Sequence, residues 1–278
     1  MFKKILAPIR KYLKQRVVRT HYDLFQWHCD TFYPIRDEIS DAEWHYLETC
    51  FQLPNSLMEV PESGYDEYSY YTYSHRVRGE DVNSSRFAYG TLLHVESALE
   101  AAKAVIDEKD IQVDPYFLES PSSFFYGLGW DLMAGHFKVY FREQDLSALP
   151  QAQLQTLIDE SLPTYQSEGL VSFTYSKGEE GYTLHEEKVY IYPNRDKKED
   201  GEIFPGTKGR VLMSTSKRGI LTQYDVSQPK QWRERLNQTG KDILQKYHKK
   251  GYTLDTIVMK DADNFTLYFP EPLLPFSR

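Results

Sequence analysis

The sequence predicts an α+β fold in which ten antiparallel strands form a closed β-barrel, built from αββ repeats and surrounded by helices. Two observations predict it: strand–turn–strand patterns occur five times along the chain, and helical patterns separate most of them. Hairpins joined by helices bury one face of their sheet against those helices. Ten twisted strands tend to curl, and closure into a barrel removes the exposed sheet edges. The alternative fold is an open α+β sheet with helices on one face.

The clearest helix signal is a capping box, in which Ser40 precedes Glu43 by three residues. It predicts a helix from residue 41 to about residue 51. Gly251 is expected to end the last helix, because glycine readily adopts the left-handed conformation that follows a helix C-terminus. Further helices are predicted over residues 91–109, 150–162 and 230–250.

The five hairpins are read from alternating apolar and polar residues on both sides of a short polar turn. The polar stretch 194–209 stands where a further helix would follow the third hairpin, and it is predicted to be a loop. The strand pairs are predicted at 65–78 with 83–90, 124–132 with 137–142, 170–175 with 184–192, 210–215 with 220–226, and 252–259 with 264–269.

The N-terminal segment has a charge pattern of its own. Residues 1–20 hold seven basic residues and no acidic one, and apolar residues recur between them at helical spacing. The pattern predicts a basic amphipathic helix at the start of a single domain that spans residues 1–278. Two interpretations stay open: the helix attaches to a membrane surface or an acidic partner, or it packs on the domain with a solvated basic face.

Composition narrows the class of protein. The 278 residues include 22 tyrosines, more than phenylalanine (15) and tryptophan (4) together, and such an aromatic content argues against disorder. A net charge of −8 argues against nucleic-acid binding, which favours a basic excess. Cys29 and Cys50 are the only cysteines and support neither a disulfide framework nor a thiolate metal site, so we expect a cytoplasmic protein. No apolar run reaches the roughly 18–20 residues of a transmembrane helix.

The second strand of each hairpin indicates which residues face inward. In the strand 137–142, Phe137 and Val139 share one face, and Lys138 and Tyr140 share the other. The Lys-x-Tyr pattern recurs at 188–190. Either these residues face solvent on a half-exposed sheet, or they line a lumen. A lumen of cations and phenols suits a polyanion such as a diphosphate, and tyrosine rings stabilise a nearby cation by roughly 0.5–2 kcal/mol. Both properties fit the cleavage of an allylic diphosphate.

The helix–hairpin units resemble those of a known enzyme family. Together with Gly129-Trp130-Asp131, four intervening residues and the strand that begins at His136, they are similar to the aromatic prenyltransferases of the ABBA, or PT-barrel, type, including the cyanobactin peptide prenyltransferases. The likeness covers roughly residues 59–270. It implies a transferase that moves an allylic group from its diphosphate to an aromatic small molecule or a peptide side chain. The expected allylic group is dimethylallyl.

The resemblance also implies the residues that bind the diphosphate. Two positions depart from the family pattern. Glu186 stands where the indole enzymes have an arginine, and Gln223 is adjacent to Tyr224, so that both face the lumen only if the strand has a bulge. The implied ligands are Arg86, Lys138, Tyr140, Lys188, Tyr190, Gln223, Tyr224 and Tyr268.

The acceptor side of the reaction is assigned to Glu67, which the resemblance implies as the catalytic acid–base residue that orients the acceptor or takes its proton. The eight histidines have no metal-ligand spacing, so no protein metal site is predicted. The resemblance implies no required cofactor and leaves Mg²⁺ open as a companion of the diphosphate. The alternatives are a non-catalytic barrel that binds a hydrophobic or anionic small ligand, and a scaffold protein that docks through its basic N-terminal helix. The oligomeric state is not predicted.

Overall fold

The computed structural model describes residues 21–53, 69–91, 95–146, 165–193, 202–204, 207–208, 211–216, 219–225, 229–269 and 271–272. For residues 165–168, 191–193, 202–231 and 271–272 the description concerns the backbone. The basic N-terminal helix, the helix predicted at 150–162 and the predicted catalytic Glu67 lie outside the described residues.

The described helices confirm the predicted capping box, but the longest predicted helix is divided in two. The side chain of Ser40 accepts from the backbone N–H of Glu43, and the Glu43 carboxylate accepts from the backbone N–H of Ser40 at 2.8 Å. In the described part of the chain, the helices are α1 (His21–Thr31), α2 (Asp41–Gln52), α3 (Glu96–Glu108), α4 (Pro115–Glu119), α5 (Pro229–Arg235) and α6 (Gln238–Lys249). None of these helices is long and apolar enough to span a bilayer.

The prediction of a single helix at 230–250 is wrong, because two helices occupy this segment. Asn237 separates α5 from α6 and acts as the N-cap of α6, where its side-chain oxygen accepts from the backbone N–H of Gly240 at 3.0 Å. An asparagine at this position competes with helix continuation by bonding the backbone locally. Gly251 follows α6 with a φ of 90°, as its predicted role in ending the helix requires.

The strands fall in the predicted hairpins with shifted ends. The last hairpin is shorter than predicted, because Tyr252–Thr253 separates from it and pairs with Glu271–Pro272 instead. Two short strands occupy part of the predicted loop at 194–209. The strands are β1 (Ser69–Arg78), β2 (Asp81–Thr91), β3 (Ser123–Asp131), β4 (His136–Glu143), β5 (Tyr165–Gly178), β6 (Gly181–Pro193), β7 (Glu202–Phe204), β8 (Thr207–Lys208), β9 (Val211–Ser216), β10 (Gly219–Asp225), β11 (Tyr252–Thr253), β12 (Thr256–Met259), β13 (Asn264–Phe269) and β14 (Glu271–Pro272).

The main sheet is antiparallel and curls until its first and last strands pair. Its order is β1-β13-β12-β10-β9-β6-β5-β4-β3-β2, and β2 pairs with β1 to close the barrel. The α+β class and the curled antiparallel sheet are thereby confirmed. Every neighbouring pair in this order is antiparallel, so the first strands of the hairpins all run in the same direction. The described turns at 79–80, 132–135, 179–180 and 260–263 therefore lie at one end of the barrel, called here the turn end.

The apolar core lies between the outer face of the barrel and the helices. Burial along β4 alternates strictly, with Phe137, Val139 and Phe141 fully buried. Phe141 contacts Phe117 of α4 at a ring-centroid distance of 5.2 Å. The predicted division of β4 into two faces is therefore confirmed. The face opposite these three residues, which the sequence leaves open between solvent and a lumen, points into the barrel.

A closed ring of hydrogen bonds joins α1 and α6 to the first hairpin. His28 Nε2 donates to the carbonyl oxygen of Ser84 (3.0 Å), so His28 Nδ1 accepts from the Tyr247 hydroxyl (3.1 Å). Tyr247 in turn accepts from His75 Nε2 (3.0 Å), and His75 Nδ1 accepts from the Ser84 hydroxyl (2.8 Å). Both histidines are fully buried and must be neutral for the ring to close, because each ring uses one nitrogen as an acceptor.

This ring predicts acid-sensitive stability. Burial lowers the pKa of His28 to about 4, and it also lowers the pKa of His75. The histidines of the unfolded chain bind protons near pH 6.5, whereas those of the folded chain do not. The stabilisation that the neutral histidines provide is therefore fully present above pH 6.5 and is lost as the pH falls toward 4. His28 alone lowers the free energy of unfolding by about 2 kcal/mol between pH 8 and pH 5. Urea denaturation at both pH values measures this loss.

The matched variants are His28→Gln and His45→Gln. Glutamine at position 28 keeps one donor and one acceptor but no longer titrates, so the fall in stability between pH 8 and pH 5 becomes smaller. His45 is exposed on α2, and its replacement leaves the pH dependence unchanged. An identical pH dependence in wild type and His28→Gln contradicts the role assigned to the ring.

Candidate functional site

Charged side chains gather on the inner face of the barrel toward its turn end. Arg86 on β2 lies directly opposite Asp131 on β3, and Lys138 on β4 lies opposite Thr174 of β5, which in turn pairs with Glu186 of β6. We call the following six residues the lumen cluster: Arg76, Arg86, Asp131, Lys138, Glu186 and Lys188. They come from β1, β2, β3, β4 and β6, so the closed sheet is what brings them together.

Asp131 is the buried anchor of this cluster, with a residue exposure of 3%. Its Oδ2 lies 3.2 Å from Arg86 Nε and 3.4 Å from Arg76 Nη2. Its Oδ1 accepts from Asn83 Nδ2 at 2.7 Å. One carboxylate therefore neutralises part of the charge of two guanidinium groups, and both groups are fixed in position.

Lys138 is the cation of the cluster for which the described residues provide no ion pair. Its ammonium group forms no hydrogen bond or salt bridge with the residues that the structure describes. Burial, together with the positive charges of Arg86 and Lys188, lowers the pKa of Lys138 to about 7. A half-buried cation that feels two other positive charges is stabilised by an incoming anion, because the anion replaces the lost hydration.

Lys188 and Glu186 form the other ion pair of the cluster. The Lys188 Nζ lies 3.6 Å from Glu186 Oε2, and both side chains are half-buried on β6. Glu186 is thus the carboxylate partner of Lys188, at the position where the indole enzymes have an arginine. When all six residues of the cluster are ionised, it holds four positive and two negative charges, and this imbalance favours a polyanion.

Tyrosines cover the wall next to the charged residues. Tyr140 follows Lys138 on the inner face of β4, and Tyr190 follows Lys188 on that of β6. Burial raises the pKa of both phenols, so they stay protonated and can donate to an anion. Tyr268 on β13 and Arg86 on β2 both pair with Ser74 of β1, so Tyr268 lies on the same face and completes this group. The arrangement combines cations, neutral hydroxyl donors and aromatic faces in one closed space.

Glycines on neighbouring strands leave the space that the tyrosine rings occupy. A Cβ atom at Gly129 would lie 2.9 Å from Tyr140 Cε2, which shows that the Tyr140 ring rests directly on the backbone of β3. Tyr70 covers Gly90 and Gly127 in the same way and stacks on Tyr126 at a centroid distance of 4.4 Å. The tyrosine-rich composition is therefore explained in part by rings that pack flat on a glycine-containing wall.

Gly129→Ala is expected to shift Tyr140 away from its place beside Lys138. Because hydrogen bonds from a displaced phenol to an anion weaken, we expect diphosphate affinity to fall about fivefold. The control is Gly178→Ala, at an exposed glycine where a Cβ atom would make an ordinary 3.5 Å contact. Isothermal titration calorimetry with inorganic diphosphate measures both variants, and equal affinities for them contradict the assigned position of Tyr140.

The structure brings six of the predicted ligands together: Arg86, Lys138, Tyr140, Lys188, Tyr190 and Tyr268. For Gln223 and Tyr224 the structure describes the backbone, in which Gln223 pairs with Leu212 while Tyr224 pairs with Val211 and Ile257. Adjacent positions of a regular strand alternate between faces, so the register favours position 223 for the lumen. Both residues, like Glu67, stay predictions.

Sequence reasoning missed Asp131 and Arg76. Asp131 belongs to the Gly-Trp-Asp motif that carries the family resemblance, and Arg76 lies two residues beyond Ser74 on the inner face of β1. The period-2 alternation of β1 could have indicated Arg76. The pairing of Asp131 with both arginines depends on the register between strands, which the sequence does not contain.

The chain matches no protein-family model, and no curated protein shows significant similarity to it. Among the residues that the structure describes, no group of three or more histidine, cysteine, aspartate or glutamate side chains has the arrangement of a metal site. Any account of function therefore depends on the geometry and charge of the lumen.

Proposed function

We propose that the chain is a prenyltransferase whose lumen binds the diphosphate group of an allylic diphosphate, with dimethylallyl diphosphate as the expected substrate. Its fold in this proposal is a ten-stranded PT barrel of αββ repeats. The acceptor is an aromatic small molecule or a peptide side chain. The observation that carries the proposal is the lumen cluster itself: four cations against two carboxylates, inside a barrel, with tyrosine rings beside them.

The proposed step separates charge, and the cluster stabilises the part that leaves. The bond between the allylic carbon and its diphosphate oxygen breaks, and both electrons go to the oxygen. Arg86, Lys138 and Lys188 stabilise the resulting diphosphate by charge and by hydrogen bonds. The allylic cation that remains is attacked by the acceptor, which forms the new bond and then loses a proton.

Tyr140, Tyr190 and Tyr268 have two roles in this proposal. Their hydroxyls donate to phosphate oxygens, and their ring faces stabilise the allylic cation while they exclude water from it. Glu67 is assigned the acceptor side, where it orients the acceptor or takes its proton.

Magnesium does not fit the lumen carboxylates as they are arranged. Mg²⁺ prefers several free oxygen ligands, but both oxygens of Asp131 are engaged by Asn83 and two arginines, and Glu186 is paired with Lys188. The described residues thus do not form a magnesium site, and no step of the proposed reaction depends on the ion.

The test is incubation with dimethylallyl diphosphate and a panel of aromatic amino acids and cyclic peptides. Expected results are release of inorganic diphosphate and an acceptor heavier by one five-carbon unit in mass spectrometry. Lys138→Ala serves as the inactive control. Binding of the diphosphate without product for any acceptor supports the alternative function, a non-catalytic barrel for an anionic ligand. Absence of both binding and product rejects the proposal.

A further inference from the structure

Asp131 occupies the place in the lumen where an anion would be expected to bind. One carboxylate oxygen, Oδ2, bridges Arg86 and Arg76 at 3.2 Å and 3.4 Å, as a phosphate oxygen would. Both arginines come from the first hairpin, whereas Asp131 comes from the next strand, opposite Arg86. The contact is therefore made across strands and is fixed by the barrel.

Neighbouring hydrogen bonds keep this carboxylate from turning away. Asn83 donates to Asp131 through its Nδ2, and its Oδ1 accepts from both the backbone N–H (3.0 Å) and the hydroxyl of Ser85 (2.8 Å). The Ser85 hydroxyl oxygen accepts from the backbone N–H of Met133 in the turn between β3 and β4 (2.9 Å). Because the Asn83 oxygen is occupied twice, its amide nitrogen must face Asp131, and the orientation of Asp131 is determined.

We propose that Asp131 competes with the bound diphosphate for Arg76 and Arg86, and that this competition limits the affinity of the lumen for diphosphate so that the product can leave. The inference rests on the proposed function and adds to it the residue that controls product release. Asp131 acts on the reaction through the two arginines and does not touch the reacting atoms.

The opposite possibility is that Asp131 merely holds the arginines in the geometry the ligand needs. The two roles predict opposite signs for Asp131→Asn. Removal of a negative charge beside a diphosphate that carries two or three charges strengthens binding. Loss of arginine positioning weakens it. The contacts favour the first role, because a single carboxylate oxygen is shared by two guanidinium groups and lies among the charges that a phosphate would meet.

The test is calorimetric titration of the full chain with inorganic diphosphate at pH 8. We expect Asp131→Asn to bind about tenfold more tightly than wild type, which corresponds to about 1.4 kcal/mol. Asp131→Ser is the second variant, since its hydroxyl can still accept from Asn83, and it is expected to change in the same direction. Glu180→Gln, in the exposed turn between β5 and β6, makes the same charge change outside the lumen and stays within twofold of wild type.

A kinetic readout separates the release role from a structural one. With dimethylallyl diphosphate and an accepted acceptor, Asp131→Asn should show a first turnover that is faster than its steady-state rate, while kcat falls and inhibition by added diphosphate increases. Weaker or unchanged binding of diphosphate in a folded Asp131 variant overturns the inference and leaves the proposed function in place. If wild type does not bind diphosphate either, the proposed function itself fails.

Discussion

Lys138→Ala is expected to weaken the binding of inorganic diphosphate about 100-fold, the largest effect of any single substitution in the lumen. Among the described residues no carboxylate pairs with Lys138, so the charge of its protonated ammonium group is available to a ligand. A hydrogen bond to a charged group contributes about 1.5–3 kcal/mol, and the upper end applies where water is excluded. Titration calorimetry or competition with a fluorescent phosphate analogue measures the loss.

The matched control is Lys177→Ala, which removes the same charge from an exposed position near the turn end of β5. It should change diphosphate affinity less than twofold. Thermal unfolding distinguishes lost binding from lost folding. Because Lys138→Ala removes a half-buried ammonium group for which the described residues provide no ion pair, the unliganded variant should be at least as stable as wild type. A folded Lys138→Ala variant with wild-type affinity contradicts the assignment of Lys138 as a ligand.

Diphosphate binding is expected to take up close to one proton at pH 8, and affinity is expected to fall by up to about tenfold per pH unit above neutrality. Burial and the charges of Arg86 and Lys188 lower the pKa of Lys138 to about 7 in the unliganded barrel. A bound anion favours the charged ammonium and raises this pKa. Lys138 is therefore neutral in most free molecules at pH 8 and becomes protonated when diphosphate binds.

Calorimetry in two buffers of different ionisation enthalpy counts the protons taken up. Diphosphate itself titrates in this range, and Lys138→Arg provides the correction, because arginine keeps the charge but does not titrate. The difference between wild type and Lys138→Arg should approach one proton at pH 8 and vanish at pH 6. Equal proton uptake in both proteins at pH 8 means that Lys138 is already charged in the free lumen.

The alternation of apolar and polar residues along the strands allows the face of each strand residue to be predicted from the sequence. The pattern of β4 assigns Phe137 and Val139 to one face and Lys138 and Tyr140 to the other, and side-chain burial follows this assignment. A period-2 pattern determines the face of a residue once one face is buried, so such positions can be predicted locally. The capping box at Ser40 is local in the same sense.

Contacts between distant strands could not be predicted. The contacts of Asp131 with Arg86 and Arg76 depend on the pairing of β2 with both β1 and β3, and on an irregular register between Ser74 and Arg76 in β1. The hydrogen-bond ring of His28 depends on how two helices meet the first hairpin. Asn237 is a local N-cap signal for the start of α6, and the sequence contains it. The strong helical pattern on both sides of Asn237 nevertheless favours a single continuous helix, so the division was not predicted.

The most direct measurement of the central claim is a crystal structure of the chain with dimethylallyl thiolodiphosphate, in which sulfur replaces the bridging oxygen and prevents cleavage. The account predicts the diphosphate within hydrogen-bond distance of Arg86, Lys138 and Lys188, with the five-carbon chain against the rings of Tyr140 and Tyr190. A diphosphate bound outside the barrel, or one that reverses this orientation in the lumen, would contradict the account.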